Sequence, residues 1–79
     1  WPGIWTMWDG KRLKLLEVQQ TTTHMPLSPG QVSLEHGKIL MGTSDGALEI
    51  LMLQLEGKPA MDAKTFANGY HNIQGVILG

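Results

Sequence analysis

The feature that most constrains the fold is segment 45–69, in which a long apolar run leads through Gly57-Lys58-Pro59 into a short helical pattern. Residues 47–55 are apolar on both alternating faces apart from Glu49 and Gln54, which predicts a central strand covered on two sides. Pro59 offers no backbone donor and is expected, with Gly57, to end strand pairing. The segment therefore predicts a β domain built around this strand.

A short helix is expected directly after this strand. Asp62 is placed to cap a helix beginning near Ala63, with Phe66 facing the core. Gly69 fits the left-handed residue that often ends a helix. Because so short a helix does not persist alone in water, we expect it to dock on the sheet.

Turn signals divide the rest of the chain into further strands. Asp9-Gly10 and His36-Gly37 each predict a tight hairpin, and Ser44-Asp45-Gly46 predicts a third turn. The polar residues 19–29, which include two prolines, predict a connecting loop. The predicted strands are residues 4–8, 12–18, 31–35, 38–42 and 47–55, in antiparallel succession.

Five short strands bury their apolar face best by curling, so we expect a mainly β fold: a small open β-barrel of five or six antiparallel strands with one short C-terminal helix. The tail contains Val76-Ile77-Leu78. These residues either form a last strand that closes an edge or cover a neighbouring domain, and the sequence leaves both alternatives open.

Length and composition predict one domain over residues 1–79 and weak binding to nucleic acid on its own. A chain of 79 residues buries only about 60–65% of its unfolded surface. The net charge is −1, whereas independent nucleic-acid binders are usually basic. The chain has no cysteine and no apolar run of membrane-spanning length, and we expect a cytoplasmic protein without a membrane partner. The start without methionine suggests a fragment of a longer protein.

Taken together, the motifs resemble the C-terminal domain of methionyl-tRNA formyltransferase over nearly the whole chain. The residues that carry this resemblance are Trp1-Pro2-Gly3, Gly10-Lys11, Leu13-Lys14-Leu15, Pro29-Gly30, Ser44-Asp45-Gly46-Ala47-Leu48, Leu53-Gln54, Gly57-Lys58, Met61, Phe66 and Gly69-Tyr70. The resemblance implies a barrel similar to the oligonucleotide-binding fold. It also implies a parent enzyme that uses 10-formyltetrahydrofolate to formylate the methionine on initiator tRNA, with catalysis in an N-terminal domain outside this chain.

The resemblance further implies that the chain binds initiator methionyl-tRNA, weakly in isolation, and contacts the N-terminal formyltransferase domain. The candidate phosphate-binding residues are Lys11, Arg12, Lys14, Lys38 and Lys58. Strand alternation places Arg12 and Lys14 on one outward face, opposite Leu13 and Leu15. Lys64, on the helix, is a poorer candidate.

We expect no catalytic site, cofactor or metal in this domain. The three histidines show no metal-ligand spacing, and Asp45 and Asp62 fit turn and cap positions. Of the tryptophans, Trp5 and Trp8 are expected on opposite faces, for the core or an interface rather than for base stacking.

Two other functions stay open on the sequence. One is a non-catalytic structural or interaction domain of another formyltransferase, acting on a sugar nucleotide or formyltetrahydrofolate. The other is an independent single-strand binder that uses the tryptophans.

Overall fold

The computed structural model of the chain describes residues 4–22, 26–44 and 46–78. Within them, six antiparallel strands form one open sheet, followed by a short helix. The elements are β1 (Ile4–Trp8), β2 (Lys11–Thr21), β3 (Val32–Glu35), β4 (Lys38–Thr43), β5 (Gly46–Leu55), β6 (Met61–Asp62), α1 (Ala63–Gly69) and a 3₁₀ helix (His71–Ile73). The predicted mainly β fold with a short C-terminal helix is confirmed. Trp1-Pro2-Gly3, His24 and Asp45 lie outside the described residues.

The sheet has the strand order β1-β2-β5-β4-β3, and β6 also pairs with β5. The predicted central strand is therefore β5. The hairpins at Asp9-Gly10 and His36-Gly37 are both present, and both residues of each turn have positive φ, as a type I′ turn requires. The succession differs from the prediction in one respect, because β2 pairs with β5 and not with β3. The sheet is not closed, and β1 and β3 lie at the two ends of the strand order.

A register irregularity explains why β5 is apolar at consecutive positions. The paired residues Leu15 and Leu53 are followed by the pair Val18 and Ile50, so both strands advance three residues between them through a β-bulge. In a regular strand, residues three apart face opposite sides. Here the bulge lets Ile50 and Leu53 both reach the core with no exposed surface. The apolar run therefore arises because the inward-facing positions of β5 shift at the bulge, and not because both faces of β5 are buried along its whole length.

The predicted loop over residues 19–29 begins later than expected. β2 continues to Thr21, because its polar end pairs with β5 as far as Ala47. The Gln19 side chain also donates a hydrogen bond of 3.1 Å to Glu49 on β5. Within the loop, the chain passes so close to β4 that a Cβ at Gly42 would lie 2.2 Å from the Ser28 carbonyl oxygen.

The helix packs on the core as predicted, but it ends differently. Asp62 is the N-cap, and its carboxylate accepts a hydrogen bond of 2.8 Å from the backbone N–H of Thr65. Gly69 is the last helical residue and has no positive φ, contrary to the prediction. Tyr70 instead ends the helix, and its backbone N–H donates to the Phe66 carbonyl. The two aromatic rings stack at 4.5 Å, which explains why the chain turns at Tyr70 rather than at a left-handed glycine.

The core lies between this helix and the inner side of the sheet. Trp8, Phe66 and Tyr70 form an aromatic cluster with centroid distances of 4.5 to 6.0 Å. Their packing holds α1 against Trp8 of β1, and α1 also contacts β4 and β5. The largest fully buried side chains are Phe66, Leu13, Leu15, Ile39, Ile50, Leu53, Ile73 and Val32.

The tail pairs with the chain just before and at the start of β3. The Leu78 N–H donates to the Gly30 carbonyl at 2.8 Å, and the Val32 N–H donates to the Val76 carbonyl at 2.9 Å. An isolated antiparallel bridge joins Gln31 to Ile77. Of the two alternatives left open by the sequence, the structure shows edge pairing, although the segment does not form a regular strand.

Candidate nucleic-acid interface

The side of the sheet away from the helix carries cations and exposed apolar side chains on adjacent strands. Two rows cross β1 and β2: Trp5 pairs with Lys14, and Met7 pairs with Arg12. Lys14 also pairs with Gln54 on β5. Directly opposed residues in an antiparallel sheet lie on the same face. We call these five residues the outer face.

Leu13 and Leu15 explain why this part of β2 is held in place. Their side chains are 0% and 1% exposed on the core side, so alternation directs Arg12 and Lys14 outward. The sequence analysis predicted this separation, and the structure confirms it. The cations are therefore presented by a strand that the core anchors on its other side.

Arg12 contacts Trp5 on the outer face. The guanidinium carbon lies 5.0 Å from the ring centroid, within the range of a cation–π contact. Trp5 nevertheless keeps 53% of its surface exposed, and Met7 keeps 41%. The outer face therefore combines an accessible aromatic ring with a cation held beside it.

Lys58 extends this arrangement at the end of β5. The Lys58 N–H donates to the Leu55 carbonyl at 2.9 Å across a tight turn, in which Gly57 has φ +82. The Gln54 side-chain amide donates to the Lys58 carbonyl at 3.0 Å. The turn is thus tied to the outer face, and the exposed Lys58 side chain projects from it.

An open concavity of about 440 Å³ lies beside this turn, at the end of β5. Its lining residues are Arg12, Lys14, Gln54, Leu55, Glu56 and Gly57. Glu56 contributes a carboxylate to this concavity. Its Oε1 atom accepts a hydrogen bond of 3.0 Å from the Arg12 backbone N–H. That bond uses the backbone, and among the described residues no ion pair reaches the side-chain nitrogens of Arg12, Lys14 or Lys58. These cations are available to an external anion.

The other two predicted phosphate-binding residues lie elsewhere. Lys11 pairs with Trp8 at the start of β2 and belongs by alternation to the face of Leu13 rather than that of Arg12. Lys38 begins β4 opposite Glu35, and β5 separates that strand from β2. Lys64 is exposed on α1, where its Cγ lies near Gly37. The structure thus brings Arg12 and Lys14 together and ties the Lys58 backbone to the same face through Gln54, and it separates Lys11 and Lys38 from them.

Sequence reasoning missed Trp5, Met7 and Gln54 as members of this surface. The sequence analysis placed Trp5 and Trp8 on opposite faces, and Trp8 is indeed buried at 8% exposure. Trp5 and Met7 are found only when the strand register across the Asp9-Gly10 hairpin is worked out. A two-residue loop fixes that register, so the pairing of Trp5 with Lys14 was already implied by the sequence.

Asp62 serves as a helix cap, and the hydrogen bond from the Thr65 backbone N–H lowers the pKa of its carboxyl below the ordinary value of 3.8. Residues 4–22, 26–44 and 46–78 contain no cluster of three or more potential metal ligands. None of the helices formed by those residues is long and apolar enough to cross a membrane.

Comparisons with known proteins agree with the resemblance found in the sequence. Residues 1–71 match the family model described as formyl transferase, C-terminal domain. The chain is 42% identical over 80 residues to the methionyl-tRNA formyltransferase of Dehalococcoides mccartyi, covering 100% of this chain and 26% of that protein. The enzyme of the same name from Streptomyces avermitilis is 37% identical over 78 residues, with 99% and 25% covered. That from Chlorobium chlorochromatii is 40% identical over 80 residues, with 98% and 25% covered. The chain thus spans about a quarter of the length of these relatives.

Proposed function

This chain belongs to the formyl transferase C-terminal domain family, and from this we propose that it is the tRNA-binding domain of a methionyl-tRNA formyltransferase. In this proposal the chain binds methionyl initiator tRNA and makes no bond itself. Formyl transfer from 10-formyltetrahydrofolate takes place in an N-terminal formyltransferase domain to which the chain is joined. The chain itself holds no cofactor.

The observation that carries the proposal is the position of Arg12 and Lys14 on one face of the sheet, with Lys58 in the turn that Gln54 ties to that face. All three side chains are exposed and have no ion-pair partner among the described residues. Each such cation can replace a counterion condensed on an RNA phosphate, which adds affinity that salt removes. Phosphate contacts position a nucleic acid without reading its sequence, so the outer face suits a substrate recognised mainly by shape and charge.

The contribution to the reaction is positioning. A tRNA held by this domain presents its methionyl end near the formyl donor at a raised effective concentration. The net charge of −1 limits the affinity of the domain alone. We therefore expect useful binding only when the formyltransferase domain is attached.

The same net charge is the observation that favours a second candidate function. In that case the chain is a structural or interaction domain of a formyltransferase that acts on a small molecule, such as a sugar nucleotide or formyltetrahydrofolate. Its cations would then contact solvent or the neighbouring domain and not RNA. A tRNA-binding measurement separates the two functions.

The test joins the chain to the N-terminal region of the Dehalococcoides mccartyi relative, in place of that enzyme's own C-terminal region. Affinity for initiator tRNA is measured by fluorescence anisotropy between about 50 and 200 mM salt. Lys14→Gln is compared with Lys64→Gln, which removes the same charge from the helix. We expect Lys14→Gln to weaken binding at every salt concentration and to reduce the salt slope by about one. Lys64→Gln should leave both quantities unchanged.

Absence of tRNA affinity in the joined protein would contradict the proposed function and favour the second candidate. Equal effects of Lys14→Gln and Lys64→Gln would contradict the assignment of the outer face. The same measurement on Lys11→Gln and Lys38→Gln tests the two predicted residues that lie away from it.

A further inference from the structure

We propose that Trp5 is a stacking platform for one unpaired nucleotide of the bound RNA, with Lys14 holding the adjacent phosphate. This inference rests on the proposed function and adds the kind of RNA element that the outer face selects. It assigns to Trp5 a binding role in place of the core or interface role expected from the sequence.

The exposure of Trp5 sets it apart from the aromatic residues of the core. Trp5 is 53% exposed, whereas Trp8, three residues later on the same strand, is 8% exposed and packs in the aromatic cluster. An indole left in water loses the stabilisation that burial would give it. Its position beside two cations on a sheet surface is typical of sites where aromatic rings stack on unpaired bases.

The neighbours of Trp5 are suited to a nucleotide. The Arg12 guanidinium lies over the ring, with its carbon 5.0 Å from the centroid, and restrains the orientation of the indole. Lys14 lies directly opposite Trp5 on the paired strand. A base on the exposed part of the ring would therefore have its phosphate within reach of one of these two cations.

The concavity that Arg12 and Lys14 line has the size and polarity for the rest of such a ligand. Its volume of about 440 Å³ falls within the range of small-molecule sites. Gln54 lies within it and uses its amide nitrogen on the Lys58 carbonyl, which leaves its side-chain oxygen as an acceptor. The Glu56 carboxylate is fixed beside the Arg12 backbone and repels phosphate there, so the phosphate belongs at the Lys14 end.

An RNA occupant fits the outer face better than a protein domain does. Arg12 and Lys14 have no carboxylate partner among the described residues. Burying them unpaired against an apolar domain surface would carry a large desolvation cost. A phosphate offers them a charge-assisted partner, while the base covers the apolar ring.

The test compares two RNA probes at about 50 mM salt, where phosphate contacts are strongest. One probe is a single-stranded hexaadenylate, and the other is a blunt, GC-rich RNA duplex, which offers phosphates but no unpaired base. Fluorescence anisotropy of each labelled probe is titrated with the joined protein, for the unchanged sequence and for Trp5→Leu, and tryptophan emission is followed in parallel. Because Trp5 is half exposed, the variant should melt close to the unchanged chain, which thermal unfolding checks.

We expect the hexaadenylate to quench tryptophan emission and Trp5→Leu to weaken its binding by about tenfold. Duplex binding should not change on this substitution. The proposal is overturned if Trp5→Leu leaves hexaadenylate affinity unchanged, or lowers both affinities equally. It is also overturned if acrylamide fails to quench Trp5 in the joined protein without RNA, because the neighbouring domain then covers the ring.

These outcomes are separable from failure of the proposed function. If Lys14→Gln weakens tRNA binding while Trp5→Leu does not affect the hexaadenylate, stacking is wrong and the tRNA-binding role stands. If the joined protein does not bind tRNA at all, the proposed function itself is wrong.

Discussion

Glu56 combines a structural contact with an unfavourable charge at the edge of the outer face. Its Oε1 atom accepts the Arg12 backbone N–H at 3.0 Å, and its carboxylate lines the concavity with Lys14. Glu56→Gln keeps a side-chain oxygen for this hydrogen bond and removes the charge. We expect RNA affinity of the joined protein to rise about two- to fivefold, since surface charge interactions contribute about 0.2–1 kcal/mol.

Fluorescence anisotropy at low salt measures this change, and Glu35→Gln is its control. Glu35 faces Lys38 on the β3–β4 hairpin, away from the outer face, and its replacement should not alter affinity. A Glu56→Gln protein that binds RNA no more tightly would show that phosphate does not approach this edge.

At the residue level, the sequence predicted side-chain direction well wherever a strand is regular. It separated Arg12 and Lys14 from Leu13 and Leu15, because alternation holds through that part of β2. The sequence analysis grouped Lys11 with Arg12 and Lys14 because they are close along the chain, although the same alternation assigns Lys11 to the other face. Lys38 could not be located from the sequence, because its distance from β2 depends on which strands pair.

Among the elements, α1 depends on its N-cap. Asp62 accepts the Thr65 backbone N–H, and this bond lowers the pKa of the Asp62 carboxyl below 3.8. A carboxyl with a lowered folded-state pKa stabilises the fold above its unfolded-state pKa, and this contribution is lost as pH falls through the folded-state value. Asp62→Ala should therefore lower the melting temperature by a constant amount between about pH 5 and 7, and by progressively less below about pH 4.

Thermal unfolding followed by circular dichroism across this pH range measures the difference. Asp62→Asn is the matched control, because it keeps an oxygen acceptor of good capping strength without a titratable charge. Its melting temperature should stay near that of the unchanged chain at neutral pH. An Asp62→Ala deficit that is the same at every pH would contradict the role of the ionised cap.

Element boundaries were predictable only where local chemistry decides them. Asp62 and the two type I′ turns act through neighbouring residues, and each prediction is confirmed. The predicted end of β2 was wrong because pairing with β5 extends the strand into a polar segment that has little strand preference of its own. The prediction at Gly69 was wrong because the helix ends at Tyr70, whose ring stacks on Phe66. In both places a tertiary contact, and not the local sequence preference, decides where the element ends.

At the scale of the whole molecule, residues from near both ends of the chain form part of the core. β1 contributes Trp8, while the tail contributes Ile73 and Leu78, which are 1% and 6% exposed. A domain of 79 residues has a net stability of only a few kcal/mol. No sequence pattern could show that the tail pairs beside β3, because that contact joins residues more than 40 positions apart. The tail is therefore a substantial part of the fold although residues 72–79 extend beyond the family match.

Adjacent tail residues provide the test of this role. Leu78 is 6% exposed, whereas Ile77 is 59% exposed, so Leu78→Ala creates a cavity and Ile77→Ala removes surface that water already reaches. We expect Leu78→Ala to lower the free energy of unfolding by about 2–4 kcal/mol and Ile77→Ala by no more than about 0.5 kcal/mol. Urea denaturation followed by tryptophan fluorescence measures both. Equal losses in the two variants would mean that burial of the Leu78 side chain is not what stabilises the fold. No loss in either variant would mean that the tail acts only through its backbone hydrogen bonds to Gly30 and Val32, which both variants keep.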